Sequence, residues 1–291
     1  MRERFQKAAE DIYLLKSPLG NIWSGIVFVD GEEKILIDSG DNAAVIDEVL
    51  VPALADMGYT LNDMDWLCNT HCHGDHVGGN YRIKELSDDI KVAAYETAAP
   101  KVQDPLKYSK QIRAVYPSYS PAPPPVLAGV TPDLILKDQD MLGERLQVIA
   151  TPGHDTECVC FYDTKTKTLI TGDSLQGNGT CTQGLALYMD YAAYKNSIDR
   201  LRKMDVEILL SGHPYLYSTD AAFGKEEVKT YLDRCEEITE IYGTYIKEQL
   251  QQGITDSVII VEGLIQHMKN QRPNYLFLPL YTVDAHRKVL E

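Results

Sequence analysis

The chain has 291 residues, of which 44% are hydrophobic and 24% charged, and its formal net charge is −15 at pH 7. This length allows one large domain or two ordinary ones, and no apolar run approaches the roughly 18 residues that a membrane-spanning helix needs. Proteins usually bind nucleic-acid phosphates and anionic lipid through clusters of Lys and Arg, which this sequence lacks, so we expect neither a nucleic-acid nor a membrane partner.

The N-terminal segment, MRERFQKAAEDIYLLKS, carries charge throughout. It lacks the apolar stretch of roughly 7–15 residues that a secretory signal contains, and we therefore expect a cytoplasmic protein. Six cysteines are scattered along the chain. In that compartment they predict reduced thiols rather than a framework of disulfides.

The first part of the chain predicts a sheet. Short apolar runs alternate with Gly and Asp turns in IYLLKS, GIVFVD and EKILIDSG, a pattern typical of strands. A helix is predicted over residues 43–57, a strand over residues 66–69 and a second helix over residues 80–86. Between these last two lies the loop NTHCHGDHVGGN, which completes a strand–loop–helix unit.

Residues 100–132 interrupt this pattern. The stretch YPSYSPAPPPVLAG is rich in Pro and Tyr, cannot sustain a helix, and is long for a connection inside a compact domain. It predicts either a lid, with Tyr108, Tyr116 and Tyr119 offering aromatic surface to a substrate, or an excursion without function. Strand-like runs then resume in LQVIATPG, CVCFYD, TLITGDS and EILLSGH.

From about residue 221 the pattern becomes helical. Apolar residues recur at three- and four-residue spacing along one long helix, and a second helix is predicted over residues 257–268. We expect residues 221–291 to form a helical extension that packs on the core. The seven-residue recurrence of Tyr231, Ile238 and Tyr245 predicts, as an alternative, the seam of a homodimer.

Most of the histidines share one setting, directly after a predicted strand. Five of the seven do so, and one aspartate follows a strand in the same way: His71, His73, His76, His154, His213 and Asp173. The carboxyl ends of strands are where α/β proteins build their sites. Imidazole and carboxylate ligands suit zinc, iron or manganese, and the lack of a CxxC pair argues against a purely structural zinc site.

The spacing within the histidine-rich loop predicts how its ligands divide. In an extended backbone, His71 and His73 point the same way and can share one ion, whereas Asp75 and His76 can turn to a second ion nearby.

Taken in order, these motifs resemble those of the metallo-β-lactamase fold superfamily: Asp38 in LIDSG, HCHGDH at residues 71–76, PGH at His154, TGD at Asp173 and SGH at His213. The resemblance covers residues 10–220. It implies an α/β fold, an αββα sandwich, as the catalytic domain over residues 1–220.

The resemblance also implies a site with two divalent metal ions, for which zinc is expected and iron or manganese are alternatives. By position, one ion is held by His71, His73 and His154, the other is held by Asp75, His76 and His213, and Asp173 bridges the two. Asp38 is expected to orient the ligand loop from behind.

Two ions about 3.5–4 Å apart lower the pKa of a bridging water, so that hydroxide is available as a nucleophile near neutral pH. Asp75 is expected to orient that nucleophile or to carry a proton to the leaving group. We hypothesise that the hydroxyl of Tyr188 or Tyr191, shortly after the Asp173 loop, hydrogen-bonds the substrate oxyanion.

Within the superfamily the sequence looks most like the glyoxalase II and lactonase type, which implies hydrolysis of a small ester, thioester or lactone. Asp173 stands where the exported zinc β-lactamases have Cys. PGHD departs from the commoner PGH followed by Thr or Ser, which leaves the substrate open. Three alternatives remain: a mononuclear iron persulfide dioxygenase using His71, His154 and Asp173, a phosphodiester hydrolase, and a metal-bound scaffold without turnover.

Overall fold

The computed structural model describes residues 4–216 and 220–290. The outer ends of the predicted domain ranges, Met1 and Glu291, lie outside the described residues. Two sheets pack face to face, and helices cover the outer face of each. This is the predicted αββα sandwich.

The first sheet has seven strands in chain order. Its first four strands pair antiparallel and the remaining pairings are parallel. The strands are β1 (Gln6–Ala9), β2 (Ile12–Leu19), β3 (Ile22–Asp30), β4 (Lys34–Ile37), β5 (Trp66–Cys68), β6 (Lys91–Tyr95) and β7 (Leu134–Leu136).

The second sheet has six strands in the order β13-β12-β11-β10-β9-β8. All its pairings are antiparallel except that of β11 with β12. The strands are β8 (Met141–Leu142), β9 (Leu146–Ala150), β10 (Val159–Asp163), β11 (Thr168–Ile170), β12 (Ile208–Leu210) and β13 (Ala221–Phe223).

The helices lie on the outer faces of the two sheets. In chain order they are α1 (Ala43–Val45), continued by a π-helical turn (Ile46–Leu50) into α2 (Val51–Asp56), then α3 (Gly74–Val77), α4 (Asn80–Leu86), α5 (Ala99–Gln103), α6 (Pro105–Ala114), α7 (Tyr191–Arg202), α8 (Lys225–Gln251), α9 (Ser257–His267) and α10 (Phe277–Leu290). A 3-10 turn (Leu61–Asp63) precedes β5.

Alternation along the strands produces three apolar layers. In β4, Ile35 and Ile37 face the other sheet, whereas Leu36 faces the covering helices, as the two-residue period of a strand requires. The layer between the second sheet and α7–α10 is formed largely by residues of the C-terminal helices. The C-terminal helices therefore pack on the sandwich rather than standing apart from it.

The structure corrects several expectations about individual elements. The YPSYSPAPPPVLAG stretch has no helix, but the first half of residues 100–132 is helical, in α5 and α6. Pro starts α6, where its missing N–H is not needed, and the Asp104 side chain caps the helix by accepting from the Lys107 amide at 3.0 Å. The sequence pattern predicts neither β6 nor α10, and residues 221–223 extend the second sheet before the helices begin.

The residues that the sequence proposes as a dimer seam pack largely against the core of their own chain. Tyr231 and Ile238 are 5% and 0% exposed, and Tyr245 packs partly buried against the same core. They do not form an exposed apolar row.

All six cysteines are free, and five of them are buried. Among residues 4–216 and 220–290, no helix combines the length and the apolar character needed to cross a bilayer.

Candidate metal centre

The predicted ligands come together at one edge of the sandwich, where β4, β5, β9, β11 and β12 end. Hydrogen bonds from a strand of each sheet to a loop of the other hold the two sheets together there. The amide of Val159 donates to the Thr70 carbonyl at 2.9 Å, and the amide of Gly25 donates to the Gly212 carbonyl at 2.8 Å. Strand ends from both sheets can therefore deliver side chains to a common point.

One group of three histidines forms on the side of the first sheet. The ring atoms His73 Nδ1 and His154 Nε2 lie 3.0 Å apart, and the His71 ring centroid lies 4.7 Å and 4.9 Å from those of His73 and His154. Nitrogens about 2.0–2.1 Å from a tetrahedral zinc are separated by roughly 3.3 Å. This group fits the predicted first ion.

A second group forms beside it from Asp75, His76 and His213. His213 Nε2 lies 3.2 Å from His76 Nε2 and 3.1 Å from Asp75 Oδ2. Ligand atoms of these three residues all lie within 4.8 Å of one another. The predicted second set of ligands is thus brought together as well.

Asp173 lies between the two groups. Its Oδ1 is 3.4 Å from His76 Nε2 and 3.5 Å from His213 Nε2, whereas its Oδ2 is 3.7 Å from His154 Nε2. One oxygen faces each group, the geometry expected of a bridging carboxylate. Asp173 Oδ1 and His71 Nε2 are buried without a hydrogen-bond partner among the described residues. Buried polar atoms of this kind require a partner, and a cation in each group would supply it.

Small residues make room for this carboxylate. A Cβ on Gly212 would lie 2.5 Å from Asp173 Oδ1, and one on Gly172, at φ +49°, would lie 2.2 Å from Thr70 Oγ1. The Gly in each of the TGD and SGH motifs is therefore needed for close approach.

Asp38 holds two ligand histidines from behind. Its Oδ2 accepts from the Thr70 hydroxyl at 2.8 Å and from His76 Nδ1 at 2.8 Å. Because the hydroxyl proton of Thr70 is committed to Asp38, His71 Nδ1, 3.1 Å from that oxygen, is the donor in its contact with Thr70. Each ring thereby carries a proton on Nδ1 and presents its Nε2 to a metal. Asp38 thus lies behind both rings, at the position where the sequence predicts a residue that orients the ligand loop.

The other ligand rings are oriented by different groups. His154 Nδ1 lies 2.9 Å from the Leu187 carbonyl, and His213 Nδ1 lies 2.7 Å from the Trp23 carbonyl. The unusual Asp155 of PGHD lies behind His73, with its Oδ2 3.8 Å from His73 Nε2. Lys101 of α5 forms an ion pair with Asp155 at 3.0 Å. The departure from the family motif therefore places a carboxylate, paired with Lys101, behind one of the three histidines of the first group.

The electrostatics of the two groups differ. Burial lowers the pKa of His154 to about 3, with the neighbouring His73 lowering it further, and burial likewise holds the pKa of His71 far below its usual range. Burial would also lower the pKa of His76, but the carboxylates of Asp38, Asp173 and Asp75 outweigh it and raise that pKa. The first group thus offers neutral imidazoles, and the second a negative environment that attracts a cation.

The structure does not bring the two hypothesised tyrosines to this centre. The Tyr188 side chain is fully buried, with its hydroxyl 2.7 Å from His286 Nε2 of α10, and the Tyr191 ring packs on the same histidine at 4.2 Å between centroids. Between them, Asp190 caps the start of α7, so the chain turns away from the centre here. Proximity in sequence to the Asp173 loop misled the prediction.

A different tyrosine contacts the centre. The Tyr215 hydroxyl donates to Asp173 Oδ2 at 2.7 Å, and burial together with the charge of Asp173 raises the pKa of Tyr215, so the phenol keeps its proton. Its position two residues after the ligand His213 was the available signal. Sequence reasoning passed over it.

A cavity of about 190 Å³ opens onto the centre. Asp75, His73, His154, Asp173 and His213 form its polar floor, and its walls are largely apolar. Of the three tyrosines proposed for a lid, only Tyr108 lines the cavity, stacked on the His73 ring. Tyr116 instead donates to Asp284 of α10 at 2.6 Å.

The sequence profile of the Metallo-beta-lactamase superfamily matches residues 18–213, a span that contains Asp38 and every ligand of both groups. The chain belongs to the metallo-β-lactamase superfamily. The predicted family and fold are therefore confirmed, and the predicted enzyme class, a metal-dependent hydrolase, is supported by the same match.

Solved structures of this superfamily have the same fold. A metallo-beta-lactamase family protein of Thermus thermophilus superposes with a TM-score of 0.75 at 18% identity, covering 98% of this chain and 94% of that one. The FEZ-1 metallo-beta-lactamase of Legionella gormanii gives a TM-score of 0.60 at 18% identity, covering 81% of this chain and 94% of that one. At these identities the likeness concerns the fold.

Curated relatives are distant and longer. The lactamase-like protein vrtG of Penicillium aethiopicum is 24% identical over 61% of this chain and 46% of its own length. The atrochrysone carboxyl ACP thioesterase dmxR1 of a Cryptosporiopsis species is 23% identical over 52% of this chain and 37% of its own. A beta-lactamase-like protein 2 homolog of Caenorhabditis elegans is 25% identical over 63% and 52%. The chain spans about half or less of the length of these relatives.

Proposed function

We propose that the protein is a dinuclear metal-dependent hydrolase that cleaves a small ester, thioester or lactone. The observation that carries this proposal is the position of Asp173, whose two oxygens face two separate sets of three ligands. Two divalent ions held there, zinc by expectation, would lower the pKa of a shared water and polarise the substrate carbonyl.

The chain's own groups orient the reactants and move the proton. Asp75 lines the cavity with 28% of its side chain exposed. Burial alone raises the pKa of Asp75, but the charge of His76 and a hydrogen bond from His213 outweigh it and hold that pKa below its usual range. An ionised carboxylate in this position accepts a proton from the attacking water and delivers it to the leaving group.

The second ligand set favours hydrolysis over the iron dioxygenase. A single iron needs only His71, His154 and Asp173 as ligands, and His213 would then bind no metal. In the structure, however, His213 is oriented by the Trp23 carbonyl and aimed at Asp75. The name of the relative dmxR1, a thioesterase, supports thioesters within the proposed class. A small-molecule substrate, a homodimer and a cytoplasmic location stay predictions from the sequence.

The first experiment is elemental analysis of protein purified without added metal or chelator, followed by assays on thioesters, lactones and phosphodiesters. We expect close to two zinc ions per chain and turnover of thioesters or lactones. His213→Ala should lose one ion, whereas the control His267→Ala, at an exposed histidine of α9, should keep both. About one iron per chain with oxygen consumption on a persulfide would contradict the proposal.

A further inference from the structure

Among the described residues that line the cavity beside the metal centre there is one Arg or Lys side chain, Arg113 of α6. It lies on the same face of this helix as Tyr108, Ser109 and Ile112, which also line the cavity. The helix belongs to the 100–132 insertion, so the insertion contributes directly to the substrate cavity.

Only part of the hydrogen-bonding capacity of Arg113 is used within the protein. Its Nη1 donates to the Ser109 carbonyl at 3.0 Å and to the Ser109 hydroxyl at 2.6 Å. Its Nε is buried and has no partner among the described residues. No carboxylate in the described parts of the chain lies within ion-pair distance of it. A guanidinium has five N–H donors in a planar fork, and only Nη1 donates to residues that the structure describes, so N–H groups of Arg113 remain free to bind a ligand.

The surroundings of Arg113 strengthen an interaction with an anion. The guanidinium carbon lies 5.7 Å from the centroid of the Phe277 ring, and Phe277, Leu278 and Ile112 form apolar walls of the same cavity. An ion pair shielded by such walls is screened less than one in water. Arginine is weakly hydrated and matches carboxylate and phosphate groups with two parallel hydrogen bonds.

We propose that Arg113 binds an anionic group, a carboxylate or a phosphate, at the end of the substrate remote from the bond that is cleaved. The proposal rests on the hydrolase function proposed above and narrows its substrate class. The substrate is then a small ester or thioester with an apolar middle and an anionic terminus. The volume of about 190 Å³ is below the roughly 300–1,000 Å³ of ordinary ligand pockets, which suits a short chain of this kind.

The kinetic test compares two esters of equal length, p-nitrophenyl hydrogen glutarate and p-nitrophenyl pentanoate, in the metal-loaded enzyme. We expect wild type to prefer the anionic ester at least about tenfold in kcat/KM, since a hydrogen-bonded charge contributes a factor of this size. Arg113→Met should remove the preference by raising KM for the anionic ester alone. Lys110→Met removes a charge from the exposed face of the same helix and should leave the preference intact.

A binding test separates failure of this inference from failure of the proposed function. Calorimetry measures the affinity of the protein for glutarate, 4-phosphonobutanoate and pentanoate. Each of these ligands has a carboxylate that can bind the metals, so differences in affinity report on the group at the other end. We expect glutarate or the phosphonate to bind wild type at least about tenfold more tightly than pentanoate, and the stronger of the two identifies the anion. That advantage should be lost in Arg113→Met and reduced in Arg113→Lys.

Equal binding of all three ligands by wild type, or an advantage retained in Arg113→Met at unchanged metal content, would overturn the role of Arg113. Hydrolysis of neither ester together with Arg113-dependent binding would contradict the hydrolase for this ester class but leave the anion site standing.

Discussion

Asp38 Oδ2 accepts a hydrogen bond from His76 Nδ1 at 2.8 Å, inside a site where His76 is 0% exposed. The same oxygen reaches His71 through the Thr70 hydroxyl. One carboxylate thus fixes the tautomer of a ligand in each of the two groups. The backbone of Asp38 is in the left-handed region, at φ +63°, a conformation that Asp and Asn tolerate better than most residues.

Asp38→Asn should therefore weaken metal binding without disturbing the fold. The amide keeps the size and the backbone preference of Asp but loses the charge that supports both rings. We expect metal affinity to fall roughly 10–100-fold, the usual effect of removing a partner behind a ligand histidine. Competition with a chromophoric chelator measures it. Asp47→Asn, at an exposed ion pair with Arg82, is the control, and equal affinities in the two variants would contradict the role of Asp38.

Tyr215→Phe should impair activity through Asp173. The variant removes the hydroxyl that donates to Asp173 Oδ2, so the bridging carboxylate is held less firmly. We expect kcat/KM to fall by about tenfold, corresponding to one charge-assisted hydrogen bond of roughly 1.4 kcal/mol.

Tyr194→Phe provides the matched control for Tyr215→Phe. This tyrosine is equally buried, but its hydroxyl accepts from the Gln176 amide at 3.1 Å and has no bond to a ligand. It should lose stability and keep kcat/KM. Equal losses of activity in both variants would indicate a general packing effect instead.

Tyr188→Phe should affect stability and not catalysis. The Tyr188 hydroxyl and His286 Nε2 are buried partners, and removal of the hydroxyl leaves the ring nitrogen unpaired, at a cost of about 1–3 kcal/mol. We expect a lower denaturation midpoint with unchanged kcat. A fall in kcat at full metal content would restore the oxyanion role that the sequence predicted for this residue.

His286 should make the protein sensitive to acid. Burial lowers the pKa of His286 to about 3, with a smaller effect of Lys195, whereas an unfolded histidine has a pKa of about 6.5. The folded chain thus keeps this ring neutral while the unfolded chain takes up a proton. Stability is fully present above about pH 6.5 and falls as the pH drops towards 3, by up to about 1.4 kcal/mol per pH unit.

The test for His286 is chemical denaturation of wild type and His286→Gln at pH 7, 6 and 5. Glutamine retains an acceptor for Tyr188 but does not titrate. The variant should therefore take up fewer protons on unfolding, by up to about one, and its free energy of unfolding should fall less steeply on acidification. The exposed histidine variant His267→Gln should follow wild type. An identical pH dependence in His286→Gln would show that this residue does not set the acid response.

The sequence by itself indicated the family and the residues that the structure brings together in both groups. It could do so because each ligand directly follows an apolar run of strand length, and the carboxyl ends of strands gather at one edge of a sandwich. His71, Asp173 and His213 are far apart in the chain, yet each was identifiable from its own short motif. Asp38 also directly follows a strand, and its orienting role was an expectation from the family resemblance.

Only the tertiary structure decided which side chains surround the ligands. Tyr188 and Tyr215 each lie within a few residues of a site motif, but one points into the helical layer and the other to Asp173. Arg113 lines the cavity because α6 packs beside the centre, and Lys101 of α5 pairs with Asp155 behind His73. Loops have no fixed period that gives the direction of a side chain, and contacts between distant elements depend on packing that no local pattern encodes.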